Sequence, residues 1–499
     1  MSTSAPPSGI TSAQKWILGL ASLASFMISL DSLVVSTALP TLRVDLNASL
    51  DSLVWTVNAY NLTFAVLLIT GAALGDRFGR KRVFIAGLGV FTLASVACAL
   101  ATTSGFLIGA RAVQGVGAAL VLPMALTQIS AAFPPQQRGK ALGIFLSITG
   151  LGTFLGPFVG GLLAEQVGWE WVFWINIPIG LIAMGLVAAK VQESRGPNIR
   201  FDLLGVVLVT AGVFGLVWGF QRADASGWGS AEVIVSLVVG VVLLGAFLGW
   251  ESKAPAPLMP LRFLKLRAFS AGNMSSFFVF AQIYGTNFML AQFLQNGQGH
   301  GPLAAGLRMM PFTVTVLILA PFAGMLADKL GDRVMVAGGM ALQAIGAITT
   351  AVIVTADISY VALIIPLTIG SCGLTLAIPA TQKAVVSSVK PQEIGQASGV
   401  VSMLRYLGGV FGIALLGSVF ASAGGDYESG TTFTGGFAAT MWVIGVLAIV
   451  GVVVGLMIPP RPAGPMGPPP GGGAPGGAAP GGAPSAAPAQ PPAAGAKKS

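Results

Sequence analysis

Charge is scarce in this chain. Asp, Glu, Lys and Arg make up 9% of its 499 residues, against about 25% in soluble globular domains, which argues against a water-soluble enzyme. Histidine occurs once, at His300, in what reads as a solvated loop, so a proton relay through imidazoles is not available. The two cysteines, Cys98 and Cys372, sit far apart inside apolar runs. That pattern argues against a disulfide framework or a zinc site, and leaves two small buried residues. No Gly-x-x-x-x-Gly-Lys-Ser/Thr loop is present: Lys498 alone is followed by Ser, and Lys497 precedes it. Nucleotide-driven chemistry therefore has no phosphate cradle. Convergent acids and bases, as a membrane-embedded acyltransferase would need, are also missing, because almost every acidic residue lies in a loop or at the end of an apolar run.

What the chain has instead is hydrophobic length. Hydrophobic residues make up 54% of it. A helix needs about 20 apolar residues to cross ~30 Å of hydrocarbon, and fourteen such runs are found. Six lie near 16–39, 52–74, 83–102, 106–127, 140–163 and 171–189. Two follow near 203–220 and 231–250, then six near 268–291, 303–326, 334–354, 360–380, 396–421 and 436–458. The first run is longer than the ~7–15 residues of a signal-peptide core and no cleavage-like site follows it, so it reads as a retained span. The net charge of +9 is no nucleic-acid signal. With the N-terminus inside, 21 of the 26 Lys and Arg residues fall in cytoplasmic segments, two (Arg43 and Arg222) in outer loops, and three within spans. This bias sets both termini in the cytoplasm. Residues 459–499 are almost all Pro, Gly and Ala, a composition that cannot build a core and predicts disorder.

An internal repeat organises the spans. Pro135-Gln136-x-x-Gly139-x-Ala141-x-Gly143 recurs as Pro391-Gln392-x-x-Gly395-x-Ala397-x-Gly399, and Gly117-x-x-Leu120-x-x-Pro123 recurs as Gly373-x-x-Leu376-x-x-Pro379, both offset by 256 residues. The loop Leu74 to Arg82 is echoed from Leu326 to Arg333. Spans 1–6 thus correspond to spans 9–14, and spans 7 and 8 are inserted. The domains read as a cytoplasmic N-terminus (1–15), an N-terminal six-helix half (16–190), the inserted pair with its linker (191–267), a C-terminal six-helix half (268–458) and the tail (459–499). Parallel halves of this kind belong to transporters that rock around a central site.

Four motifs carry a resemblance to a known family. The loop Leu74-Gly75-Asp76-Arg77-Phe78-Gly79-Arg80-Lys81-Arg82 places an acid at a helix end beside a basic cluster, where it can latch onto a neighbouring helix N-terminus; it can also serve only to set topology. Arg111-x-x-Gln114-Gly115-x-Gly117 puts a guanidinium inside span 4, at about 3 kcal/mol on insertion scales, unless it snorkels to the interface. Gly152-x-x-x-Gly156-Pro157-x-x-Gly160-Gly161 in span 5 lets helices approach closely and bends the span; packing alone is the plainer reading. In the second half Gly408 and Gly412 match Gly152 and Gly156, but Ile413 replaces the Pro. Finally, Leu30-Asp31-Ser32 through Pro40 in span 1 and Trp169-Glu170-Trp171 through Gly180 at span 6 complete the set.

Together these resemble the major facilitator superfamily, and within it the fourteen-spanner drug:proton antiporters, over nearly everything but the tail. Small departures are Ala72, where an opening Gly is usual, and Ser36, where an Asn is common. The resemblance implies an all-α polytopic membrane protein of the major facilitator fold, not an enzyme. It implies a monomer in the plasma membrane that expels a drug or antibiotic in exchange for protons, with no cofactor but the proton gradient and no metal. It also implies Asp76, Arg77, Gly79 and Arg80 as a conformational latch. Its rivals are a proton-coupled carrier of another metabolite and, further off, a membrane enzyme.

Asp31 is the only acid well inside a span and Arg111 the only base inside the first half's spans. Asp31 lies ~13 Å from the outer end of span 1 and Arg111 ~8 Å from that of span 4, at 1.5 Å per residue. Away from water a carboxyl group favours its neutral form, and a neighbouring guanidinium favours its charged form. Relative movement of the two could therefore switch proton binding; a static pair that satisfies two buried charges is the alternative. Candidate cavity residues are Asn58, Asn61, Phe278, Gln282, Asn287, Met289, Arg308 and Arg405, each equally able to pack internally or face lipid.

Overall fold

The computed structural model describes residues 10–195, 202–255, 257–390 and 393–460. The tail from Arg461 onward, and the Pro391-Gln392 pair of the repeat, lie outside the described residues. Polar turns between the apolar runs carry the helix starts. Thr11, Ser49, Thr103, Asp202, Ser230, Ser359 and Ser429 each accept a hydrogen bond from a backbone N–H two or three residues on, satisfying groups that a helix otherwise leaves unpaired. The first half contains α1 (Ser12–Asp45), α2 (Leu50–Phe78), α3 (Arg80–Ala99), α4 (Ser104–Ala132), α5 (Pro135–Gln166), α6 (Trp171–Trp174) and α7 (Asn176–Lys190). Next come α8 (Leu203–Ser226) and α9 (Ala231–Glu251). The second half contains α10 (Arg267–Gln292), α11 (Pro302–Leu330), α12 (Asp332–Ile353), α13 (Tyr360–Val386), α14 (Ile394–Ser422) and α15 (Gly430–Leu456).

Among the described residues, twelve helices are long and apolar enough to cross a membrane, and fourteen if each of two bent pairs is one span. The fourteen coincide with the expected runs, most helices extending beyond the apolar stretch at one or both ends. One bent span is α5, which turns by 41° between Thr153 and Leu155. Pro157 supplies the cause, since its ring removes the hydrogen bond to residue 153 and crowds that carbonyl. The other is α2, bent by 52° between Leu68 and Thr70. Span 6, expected as one run from 171, is divided into α6 and α7 at Ile175; Pro178 has no N–H to offer the carbonyl of Trp174.

Packing repeats as the sequence does. In the first half α1 lies on α5, α2 on α4, and α3 on α4 and α7. In the second, α10 lies on α14, α11 on α13, and α12 on α13 and α15, which is the same order shifted by one repeat. The cross-contacts are matched too: α5 packs on α11, and its counterpart α14 packs on α2. Of the inserted pair, α8 rests on α14 and α2, while α9 packs on α8. Ile234, Val235, Val238, Val241 and Val242 leave α9 with an exposed apolar face, suited to lipid rather than water.

Candidate functional site

The motif glycines position the site. Built as alanine, Gly152 would place its Cβ 2.6 Å from the Phe26 carbonyl oxygen, Gly156 3.0 Å from that of Leu30, and Gly160 2.0 Å from that of Val34. The three share one α5 face, spaced by four residues, and only hydrogen fits between it and α1. Thr37 Oγ1 donates to the Pro157 carbonyl (3.0 Å). The signature in α5 is thus a seat for the helix that carries Asp31. The second half repeats the seat, with Gly408 against Phe277 and Gly412 against Ala281 on α10.

The fold brings Asp31 and Arg111 into direct contact: Arg111 Nη1 donates to Asp31 Oδ2, and both side chains are fully enclosed. Gln114 Nε2 (3.0 Å) and Asn176 Nδ2 (2.9 Å) donate to Asp31 Oδ1. Arg111 also donates to Gln114 Oε1 at 2.7 Å and, through Nε, to the Thr56 carbonyl at 3.2 Å. Its guanidinium lies 4.3 Å from the centre of the Tyr60 ring. Ser95 accepts from Gln114 at 2.9 Å. One carboxylate thus joins α1, α4 and α7, and its two oxygens receive three donors. Charge-assisted bonds of this kind are among the stronger polar contacts. Arg111 Nη2 is enclosed without a partner.

Aromatic rings continue from this network to a second arginine. Tyr60 neighbours Phe64 (5.8 Å), Phe64 lies 4.1 Å from Tyr406, and Tyr406 is 6.5 Å from Tyr284. Tyr284 donates to Ser32 Oγ at 3.3 Å. Arg405 lies over the Phe280 ring (5.0 Å) and donates to Gln382 Oε1 at 2.8 Å. Three of the chain's five tyrosines therefore meet at mid-depth, none of them among the sequence-derived candidates. Their rarity in a chain this apolar was the available signal, since a buried phenol needs a hydrogen-bond partner. Gln114 and Asn176 stood inside quoted motifs without a role.

The remaining candidates are dispersed. Asn58 donates to the Val410 carbonyl on α14 at 3.3 Å, and Asn61 is buried with neither amide atom paired. Gln282 turns to Phe278 and to Met340 on α12, and Asn287 bonds its own helix at Ile283. Met289 is buried and Phe278 partly buried in the same core. Arg308 is half-buried near one helix end, 5.8 Å from the Tyr360 ring. His300 lies in a loop as expected and is partly covered there. Burial, aided by the nearby Arg308 charge, holds its imidazole below the ordinary range.

At the end marked by the 46–49 turn the two halves meet directly. Glu165 accepts from the Leu303 N–H (2.8 Å), Gln295 donates to the Thr37 carbonyl (2.9 Å), and Arg43 stacks 3.9 Å from the Tyr427 ring. A Cβ on Gly161 would lie 2.3 Å from the Pro302 carbonyl oxygen, and one on Gly306 2.8 Å from that of Pro157.

At the opposite end, Asp76 pairs with Arg80 at 2.8 Å, and Arg77 lies 5.4 Å from the Phe78 ring. Gly79, at φ +110°, makes the turn between α2 and α3. The acid on the α3 N-terminus is not Asp76 but Glu193, which accepts from the backbone of Lys81 (2.9 Å) and Arg82 (3.3 Å). Asp76→Asn is expected to insert normally, because an exchange of charge for amide at a partly exposed pair costs only about 1 kcal/mol or less, yet to slow transport several-fold. Glu193→Gln should instead loosen the α3 terminus, worth about 1 kcal/mol. Parallel resistance and melting assays separate the two, and full resistance for Asp76→Asn would leave the loop a topology signal only.

Paired halves, buried intramembrane charges and glycine-seated helices define a multi-pass α-helical membrane transporter. The chain belongs to the Major Facilitator Superfamily, whose model matches residues 21–413 and, in a second match, 272–493. It is 34% identical over 402 residues to the "Multidrug resistance protein Stp" of Mycobacterium tuberculosis, covering 80% of this chain and 74% of that one. It is also 34% identical over 470 residues to the "Cephamycin export protein CmcT" of Amycolatopsis lactamdurans, covering 92% and 95%. Among solved structures, an auto-inhibited POT family peptide transporter superposes with a TM-score of 0.66 at 15% identity, over 90% of this chain and 96% of that one, a likeness of fold.

Proposed function

We propose that the protein is a plasma-membrane exporter, with both termini cytoplasmic, that exchanges lipophilic drugs or antibiotics for protons by alternating access. The observation that carries this reading is the enclosed Asp31–Arg111 pair, a carboxylate sealed from water on a helix seated against Gly152, Gly156 and Gly160 of α5. The names of the resistance and export relatives support the substrate class and direction. In this reading the 46–49 end is the outer face, and cross-half contacts there hold it shut. Asp31 is charged while Arg111, Gln114 and Asn176 converge on it. Opening outward parts the halves and releases the contacts that α1 makes with the second half; in this reading α1 then shifts against α4 and α7, and the carboxylate takes a proton from the exterior. Return to the inward state restores the donors and expels the proton to the cytoplasm. Tyr406 and Phe280, which are only partly buried, offer rings to a flat lipophilic substrate, with Arg405 beside them, so cationic substrates are not the sole class expected.

The test is flux in inside-out vesicles energised by respiration. Drug should accumulate inside and each addition should partly dissipate the proton gradient. Drug leaving the lumen on energisation would identify an uptake carrier instead. Reporter fusions after Lys81 and Lys265 should read cytoplasm, and fusions after Gly299 should read exterior.

A further inference from the structure

Arg405 lies on α14 between its ends at Ile394 and Ser422, ~16 Å from the first and ~26 Å from the second at 1.5 Å per residue. That places it well inside a ~30 Å hydrocarbon core, where a guanidinium is costly and marks a functional position. Among the described residues no acidic side chain forms an ion pair with it. The sequence leaves none to do so: Asp31 is the one acid well inside a span, and Arg111 holds it. Gln382 Oε1 on α13 accepts from Arg405 Nη2 at 2.8 Å, while Nε is enclosed without a partner. The charge is thus oriented but not neutralised.

The internal repeat shows that the fold itself does not call for this arginine. Gly408 and Gly412 lie against Phe277 and Ala281 as Gly152 and Gly156 lie against Phe26 and Leu30. Gln282 therefore occupies the place of Asp31, and Arg405 that of Thr149, which only donates to the Phe145 carbonyl of its own helix (2.8 Å). The second half lacks the carboxylate of the first and carries a cation where the first half is neutral. Aromatic rings surround that cation. The Phe280 ring centre is 5.0 Å from it, and Tyr284 lies 6.5 Å from both Phe280 and Tyr406. Arg405, Gln382, Phe280 and Tyr406 are all only partly buried, although the halves are in contact at the 46–49 end.

We propose, on the basis of the exporter reading above, that Arg405 binds an acidic group of the substrate and that the substrate class is ring-bearing lipophilic carboxylates. The planar fork of the guanidinium matches the two oxygens of a carboxylate, and the apolar body of the molecule lies on Phe280 and Tyr406. The substrate supplies the counter-charge that the chain omits. A lipophilic cation meets like charge at the same place.

The test is equilibrium binding, by calorimetry in lipid nanodiscs without a gradient, of three probes that share one ring system: anthracene carboxylate, its methyl ester and aminomethylanthracene. The wild-type protein should hold the carboxylate about tenfold more tightly than the ester or the amine. Arg405→Gln should remove that preference and leave ester binding unchanged, whereas Arg405→Lys, which keeps the charge, should retain part of it. Gln382→Glu places a carboxylate beside the guanidinium and keeps it paired. It too should remove the preference, and it stays informative if Arg405→Gln does not fold. Equal binding of carboxylate and ester by the wild-type protein, or no binding of the carboxylate, overturns the proposal, as does a preference that survives both variants. So does a parallel loss of all three probes in Arg405→Gln and Gln382→Glu, which would make the arginine a packing element. No proton gradient enters the measurement, so a failed preference here and a failed efflux assay are separate results.

Discussion

Asp31→Asn is expected to abolish gradient-driven efflux while the protein still inserts. The carboxylate is enclosed and bound by Arg111, Gln114 and Asn176, so the amide keeps the space and an acceptor but can neither take nor release a proton. A fall of about 100-fold or more in energised transport, about 2.7 kcal/mol, is the expected size. Leaving Arg111 buried without its counter-charge costs about 3–5 kcal/mol of stability, so a melting curve must accompany the transport assay. The double variant Asp31→Asn/Arg111→Gln replaces both charges with amides in the same network. It should recover much of the stability and none of the coupling, which separates a proton carrier from a merely structural pair. Uphill export by Asp31→Asn, with normal dissipation of the vesicle proton gradient, would falsify the coupling role.

The second large effect is expected at Gly161. Its Cβ position lies 2.3 Å from the Pro302 carbonyl oxygen in the other half, so Gly161→Val obstructs closure of the 46–49 end without disturbing either half's own core. Separation of the halves relieves the clash. Expression and helicity should therefore be retained while transport falls by about tenfold or more, about 1.4 kcal/mol. In a background with Cys98 and Cys372 replaced by Ala, Gln295→Cys should react faster with an impermeant thiol reagent once Gly161→Val is added, because the Gln295–Thr37 contact lies beside the same seam. Gly150, with nothing within 4 Å of its Cβ position, is the control, and Gly150→Ala should be silent. Unchanged transport and labelling in Gly161→Val would show that this seam does not close during the cycle.

Individual side-chain roles were the least legible part of the sequence. Asp31 and Arg111 could be matched in depth because rise per residue is fixed within a helix. Gln282 and Asn287 were chosen as polar residues in an apolar run, but polarity does not say which way a helix is turned: Gln282 faces α12 within its own half, whereas Tyr284, two residues on, reaches Ser32 across the seam. The cap of the α3 terminus was likewise out of reach of the sequence, since Glu193 lies more than 100 residues from Lys81 in the chain and is adjacent only in space.

Sequence alone determined the class, the fourteen spans and the paired halves. Hydrocarbon demands long apolar helices whose backbone is satisfied within the segment, and repeated motifs at a fixed offset carry the symmetry of the halves. Tertiary structure alone decided what each motif touches. The α5 glycines became the seat of α1, Gly161 became a contact between halves, and rare tyrosines from α2, α10 and α14 gathered at one depth. These facts depend on helix rotation and on pairings between helices far apart in the chain, and hydropathy, which averages around the helix axis, carries neither.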